Sequence, residues 1–335
     1  MARRDLLKHL LTLALFAGGV ALLVMLARDI GLETVRQHAA ALVWFVPVGL
    51  GLQFVVHFAN TLGWRYAIGP AAAALPLRQN FDAWIAGDVV NWGTPGAVGG
   101  ELVRAHLIRD KVPMSIGLAS VAIARLSQVT AQFLFIGIAL ALSWTRLALA
   151  SEQRLALLIV VGGAVVFVVG GYVLQRTKLF GYLVAALRRV GFRGQLMDRV
   201  DAGLRRIDAE MGAYHRERAS EFRLSIACFF AGWAIQLIDA MLILRALDVP
   251  LDWRAVLAIE SLSVFVEAIS FLVPGKVGAD EGGRVLIFKA LGCSAALGLG
   301  FSIFRRAREL VWFSYCLVTF FVLRGRVARR MDSTI

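Results

Sequence analysis

Apolar residues run along this chain in blocks long enough to cross a bilayer, and the polar residues between them come in short bursts. The blocks cover 10–27, 41–63, 114–142, 155–174, 224–246 and 294–323. A helix rising about 1.5 Å per residue needs about 20 such residues to cross a hydrocarbon core about 30 Å thick, so each block predicts a transmembrane helix. Two segments fit less simply. Residues 79–92 are apolar but soon end in Asn91-Trp92-Gly93-Thr94-Pro95-Gly96, and residues 255–273 carry Glu260 and Glu267 and end in Pro274-Gly275. Each is either a full span or the first arm of a re-entrant hairpin, with 100–110 and 282–292 as the returning arms. The longest polar stretch, 175–223, repeats Leu196, Val200, Leu204, Ile207 and Met211 at helical spacing. With Arg199, Arg205, Arg206, Asp201 and Asp208 on the other faces, it predicts an amphipathic helix. Two roles are open to it: lying on the inner leaflet against anionic headgroups, or serving as a solvated connector.

The two short segments end in the same words. The first copy reads Thr94-Pro95-Gly96-Ala97-Val98-Gly99-Gly100-Glu101, with Arg104 after it and Arg125 inside the next apolar helix. The second reads Val273-Pro274-Gly275-Lys276-Val277-Gly278-Ala279-Asp280-Glu281, with Arg284 after it and Arg305 in the next helix. Backbone that breaks at membrane depth must line protein or a watery cavity, because lipid cannot satisfy its N–H and C=O groups. Broken helices at matching positions of two halves mark transport sites in many carriers.

Charge decides between span and hairpin. The chain has 335 residues, a mean hydropathy of +0.72 and a net charge of +13. With both segments as hairpins and the N-terminus inside, the cytoplasmic face receives 23 Lys and Arg residues and the outer face seven, as the positive-inside rule requires. A full crossing by 79–92 would move the basic segment 175–223 outside. Three spans then separate the hairpins, which therefore enter from opposite faces. The expected fold is all-α and polytopic: about six full transmembrane helices and two oppositely oriented re-entrant hairpins forming an inverted repeat. It is one integral membrane domain over 1–335, with a first repeat at 41–174, a basic cytoplasmic linker at 175–223 and a second repeat at 224–323. The first block, after Arg3, Arg4 and Lys8, is long for a signal peptide and lacks a clear small-x-small site, so a retained helix is expected. Both termini are expected in the cytoplasm.

Ionisable side chains inside spans cost a few kcal/mol each, so they face partners or a cavity. Arg125 and Arg305 each lie about 16 Å into their helices at 1.5 Å per residue, near the midplane. Two guanidiniums at that depth offer bidentate forks to a phosphate or carboxylate. The alternative is structural pairing, of Arg125 with Glu101 and of Arg305 with Glu281 or Glu309. Asp239 and Glu267 fit better as partners of a nearby arginine than as proton carriers. Gly99, Gly100, Gly282 and Gly283 permit close backbone approach; they also place N–H groups at the start of the returning arms, where an anion is favoured. The candidate substrate-binding set is therefore Arg125, Arg305, Glu101, Glu281, Arg104, Arg284 and those four glycines. The five histidines show no metal spacing, and Cys228, Cys293 and Cys316 sit singly in apolar sequence. No nucleotide-binding, nucleophile-elbow or metalloprotease pattern is present, so no catalytic residue, metal or cofactor is expected. No nucleic-acid motif accompanies the basic charge.

The stretches Val98-Gly99-Gly100-Glu101-Leu102-Val103-Arg104, Val273-Pro274-Gly275-x-Val277-Gly278-x-x-Glu281-Gly282-Gly283 and Arg305-Arg306-Ala307-Arg308-Glu309 resemble the lysylphosphatidylglycerol synthase transmembrane-region family, also called flippase-like. With Gly63-Trp64-Arg65, the wording is most similar to the hopanoid-biosynthesis-associated branch. Lys276 and Asp280 stand where that pattern has small or neutral residues. The resemblance implies a bacterial inner-membrane protein that moves or binds a lipid headgroup, phospholipid or hopanoid-type, in a mid-membrane cavity between the hairpins. It does not bring synthase activity, because no aminoacyl-transferase domain follows in this sequence. The expectation is a lipid translocase, not an enzyme. The alternatives are a membrane-embedded lipid-modifying transferase and an accessory scaffold of a lipid-biosynthesis complex. A homodimer or a biosynthetic partner is compatible with either.

Overall fold

The computed structural model describes residues 39–93, 99–143, 151–190, 195–249, 252–270 and 278–332. These form α1 (Ala39–Ile68), a 3-10 segment (Gly69–Ala74), α2 (Leu77–Gly93), α3 (Gly99–Leu107), α4 (Met114–Ser143) and α5 (Ser151–Arg176). They continue as α6 (Leu179–Arg189), α7 (Gln195–Glu217), α8 (Ala219–Ala246), α9 (Trp253–Ser270), α10 (Ala279–Ala290) and α11 (Ala295–Asp332). The protein is an all-α, multi-pass membrane protein, with no strand among the described residues. The expected span at 10–27 and the two Pro-Gly loops, 94–98 and 271–277, lie outside the described residues.

The predicted spans fall within α1, α4, α5, α8 and α11, and each short apolar segment ends where a second, shorter helix follows. Among the described residues, three stretches are long and apolar enough to cross a bilayer: Val43–Ala74, Met114–Ser143 and Ala219–Ala246. In α11 the charges Arg305, Arg306, Arg308 and Glu309 dilute the apolar content mid-helix. Those charges are affordable only because neighbouring helices cover them.

Packing between the halves is reciprocal. Helix α1 runs against α8 along the most extensive helix contact; α2 packs on α3 and on α11 of the other half; α9 packs on α10 and on α4. Small residues allow the central approach, as they do between membrane helices generally. A Cβ on Gly63 would stand 2.8 Å from the Phe229 ring, and one on Gly232 would stand 2.9 Å from Asn60 Oδ1. Beside this crossing Trp64 is fully buried and donates from Nε1 to Ser120 Oγ at 3.0 Å. A second apolar cluster joins Phe45, Phe288, Phe301 and Phe304.

The polar stretch is not a solvated connector. Helix α7 packs on α4 and α5, burying Ile207 and Met211 of the predicted stripe together with Tyr214, while Val200 near its start stays exposed. Asp208 accepts from the Phe180 and Gly181 amides at 2.9 and 2.8 Å, occupying N–H groups at the start of α6. Asp201 ties Arg188 to Arg205, and the Arg205 hydrogen bond holds its carboxyl below the usual carboxylate range. Docking stabilises the helix more than charge alone would, because exposed ion pairs contribute about 0–1 kcal/mol.

Candidate functional site

Each hairpin places one arginine of its returning arm against an acid of its entering arm. In the first, Arg104 on α3 reaches back to Asp88 on α2, Nη2 to Oδ1 at 2.5 Å. Its Nη1 donates to Glu101 Oε1 at 3.0 Å, and Nε donates to the Trp84 carbonyl at 3.3 Å. The guanidinium carbon also lies 3.6 Å from the centroid of the Trp84 ring, a cation–π contact. In the second, Arg284 on α10 stands 3.3 Å from Glu267 on α9 and 3.9 Å from Asp280.

The arms can lie so close because of glycine. A Cβ on Gly100 would stand 2.1 Å from the Gly87 carbonyl oxygen, and one on Gly87 would stand 2.6 Å from the Arg104 side chain. In the second hairpin the obstacle at Gly283 is the Val266 side chain, at 2.3 Å. Two of the N–H groups expected as anion donors, those of Gly100 and Gly282, are already engaged. Gly100 donates to Asn91 Oδ1 at 2.8 Å, Gly282 to the Gly278 carbonyl at 2.9 Å, and Gly278 to Glu281 Oε2 at 2.6 Å. The glycine motif therefore serves close packing and capping in these arms. An anion would have to displace those bonds.

From the first hairpin the network continues into α1 and α11. Asp88 Oδ2 lies 3.1 Å from His57 Nδ1, whose ring stacks on Trp312 of α11 at 4.7 Å. Gln53, one turn earlier on α1, sets its amide nitrogen 2.8 Å from His57 Nε2. With that amide donating, Nε2 accepts and Nδ1 carries the proton toward Asp88. The side chains of His57, Glu101 and Asp88 remain 12%, 18% and 29% exposed.

On the other half α11 presents three arginines within about one turn. Arg305 donates to Glu260 Oε2 at 2.7 Å and lies 3.8 Å from Asp239; Arg308 stands 2.5 Å from the same Asp239. Arg306 pairs with Glu281 at 2.6 Å and with Glu309 at 3.2 Å. Glu309 and Trp312 are three residues apart, so the two halves' networks approach within about 5 Å along α11 at 1.5 Å per residue.

The arginines that occupy matching positions after the two sequence motifs do not share an environment. Arg305 is buried, but its partners are Glu260 and Asp239, whereas Glu281 and Glu309 belong to Arg306. Arg125 is exposed on α4 and bonds to Gln128 at 3.3 Å, and Glu101 turns to Arg104 instead. Asp239 and Glu267 both partner arginines. Spacing alone missed His57, Asp88 and Trp312. A histidine and an aspartate inside apolar segments were the available signal.

This is a multi-pass membrane protein with charged networks inside its helix bundle. Residues 10–325 match the family described as "Lysylphosphatidylglycerol synthase TM region", and the chain belongs to that family. A "UPF0104 membrane protein" of Methanothermobacter thermautotrophicus is 24% identical over 273 residues, covering 78% of this chain and 80% of that protein. No solved structure matches.

Proposed function

We propose that this protein is an inner-membrane lipid translocase of the flippase-like kind, holding a phosphate-bearing headgroup at the first hairpin. The observation that carries this reading is the half-open Asp88–Arg104–Glu101 cluster between the packed helices α2 and α3. Charges sealed for structure alone have no use for exposure, yet both carboxylates here keep part of their surface free. A bidentate guanidinium between them can exchange a carboxylate for a phosphate without losing charge compensation. The Trp84 face would hold Arg104 in place during that exchange. Arg306 with Glu281 and Glu309 supplies a second partly open pair next along α11, where a headgroup leaving Arg104 would be received. The hairpins would enter from opposite faces with both termini cytoplasmic, and the basic segment 175–223 would face anionic lipid. In this reading the protein performs no covalent chemistry.

Leaflet exchange of labelled phosphatidylglycerol in proteoliposomes tests the proposal. The wild-type protein is expected to exceed empty vesicles at least tenfold, and Arg104→Gln to fall to within twofold of empty vesicles. Equal exchange with and without protein overturns the reading.

A further inference from the structure

We propose that the His57–Asp88 pair is a proton site coupled to anion binding at Arg104, so that the cluster takes up one proton together with one phosphate diester. The inference rests on the translocase reading and adds to it the ion that accompanies the headgroup.

The charge count is the starting point. Among the described residues the first cluster holds one arginine, Arg104, between two carboxylates, Asp88 and Glu101. With His57 neutral the cluster carries one negative charge too many for a site that must admit an anion. A proton on His57 cancels it. Imidazole is the side chain suited to take up and release a proton at physiological pH. The pair is not fully covered: the His57 side chain is 12% exposed and that of Asp88 29%.

The atoms allow the step. In the neutral form Nε2 accepts from Gln53, and Nδ1 stands 3.1 Å from Asp88 Oδ2, a contact off the line of a hydrogen bond. The incoming proton adds to Nε2, and the Gln53 amide turns over to present its oxygen. Asp88 then lies between two cations, 3.1 Å from the imidazolium and 2.5 Å from Arg104. Its pull on Arg104 weakens and the guanidinium is released toward the phosphate. By linkage the phosphate must in turn favour the proton. No covalent bond other than N–H is made or broken.

Other ionisable groups around His57 are accounted for. On α3 Arg104 and Glu101 form the cluster itself. On α11 Trp312 covers the ring, Cys316 lies near Asp88, and Arg308 sits higher, its side chain against Gly49. On α8 Asp239 is closed on Arg305 and Arg308, and on α4 Arg125 points outward with Gln128.

The test is titration calorimetry of the full chain in detergent with dihexanoyl-phosphatidylglycerol, whose phosphate diester stays singly charged from pH 5.5 to 8. Runs in two buffers of different ionisation enthalpy count protons. The expected result is about a hundredfold tighter binding at pH 5.5 than at pH 8, with close to one proton taken up per ligand near neutrality. His57→Gln is expected to bind with no pH dependence and no proton uptake, and Asp88→Asn to lose the uptake as well. PH-independent wild-type binding that Arg104→Gln abolishes overturns the coupling and leaves the translocase reading standing. No wild-type binding at either pH overturns both. Dimethyl phosphate separates the sources: pH-coupled binding as tight as that of the lipid supports the proton site but moves its ligand to free phosphate. Because proton uptake is measured on the wild type, a variant that fails to fold does not decide the matter.

Discussion

At Arg104 one guanidinium serves two carboxylates whose side chains keep 18% and 29% of their exposure. At Arg305 one guanidinium serves two carboxylates left with 1% and 4%. Both arginines are themselves buried, yet only the first leaves part of its acids' surface uncovered. Burial of the base is thus a poor guide to function; the exposure of its partners separates a site from a strut. Around Arg305 the acids Glu260 and Asp239 come from α9 and α8, and Arg308 closes on Asp239 from the next turn. Three helices are tied at one point, as a structural cross-tie requires.

The comparison breaks first at the strut. Removing one member of a buried ion pair costs about 3–5 kcal/mol, because the partner is left charged and dry. Arg305→Gln strands Glu260 and is expected to lower unfolding free energy by that amount. Arg125→Gln, at the matching position of the first half but on an exposed face, is expected to change it by less than about 0.5 kcal/mol. Denaturant titration of both variants in the same detergent measures the difference. Similar losses would mean that Arg125 is held as tightly as Arg305.

A smaller effect distinguishes the hairpins through their glycines. In the first, a new methyl group at Gly100 meets the Gly87 carbonyl at 2.1 Å, and backbone cannot step aside. In the second, a methyl group at Gly283 meets the γ-carbons of Val266, which can be trimmed. Gly100→Ala is expected to cost about 2–3 kcal/mol and Gly283→Ala about 1–2 kcal/mol, within the range for overpacking. Val266→Ala should restore most of the second loss, while no single side-chain trim should restore the first. Failure of that rescue would place the crowding at Gly283 in the backbone as well.

The sequence made the frame legible and the pairings illegible, for separable reasons. Span length and the Pro-Gly breaks are one-dimensional, and they placed α1, α4, α8 and the helices on either side of each break closely. Which acid meets which base depends on helix rotation. Glu281 was equally available to Arg305 and Arg306, and a turn of about 100° per residue decided for Arg306. The role of His57 was hidden by distance, since it lies 31 residues before Asp88 on a different helix. The docking of α7 was half visible. Its apolar stripe was read in part, with Ile207 and Met211 buried but Val200 exposed, and its partners α4 and α5 were not read.

The last contrast concerns where acid acts, and it guards the proton site against a false positive. His215 on α7 is enclosed by Tyr172, Tyr214 and Phe222, and its Nε2 is 3.0 Å from Gln175 Oε1. Gln175 gives its own amide to the Ala122 carbonyl, so its oxygen faces the ring, Nε2 donates, and buried Nδ1 has no acceptor for a second proton. Burial, helped by the Arg176 charge, pushes the His215 imidazole down to about 4. The folded group thus binds a proton less readily than the unfolded one, which titrates near about 6.5. Its contribution to stability is complete above about pH 6.5 and is lost as pH falls from there toward 4. The loss is on the order of 2 kcal/mol after allowance for partial solvation. His215→Gln is expected to flatten the stability difference between pH 7.5 and 4.5 while leaving proton uptake on ligand binding intact. His57→Gln is expected to do the reverse, abolishing uptake with the acid sensitivity of folding unchanged. If either substitution changed both quantities, the connector and the first hairpin would be one titrating unit, and the separation between site and scaffold would fail.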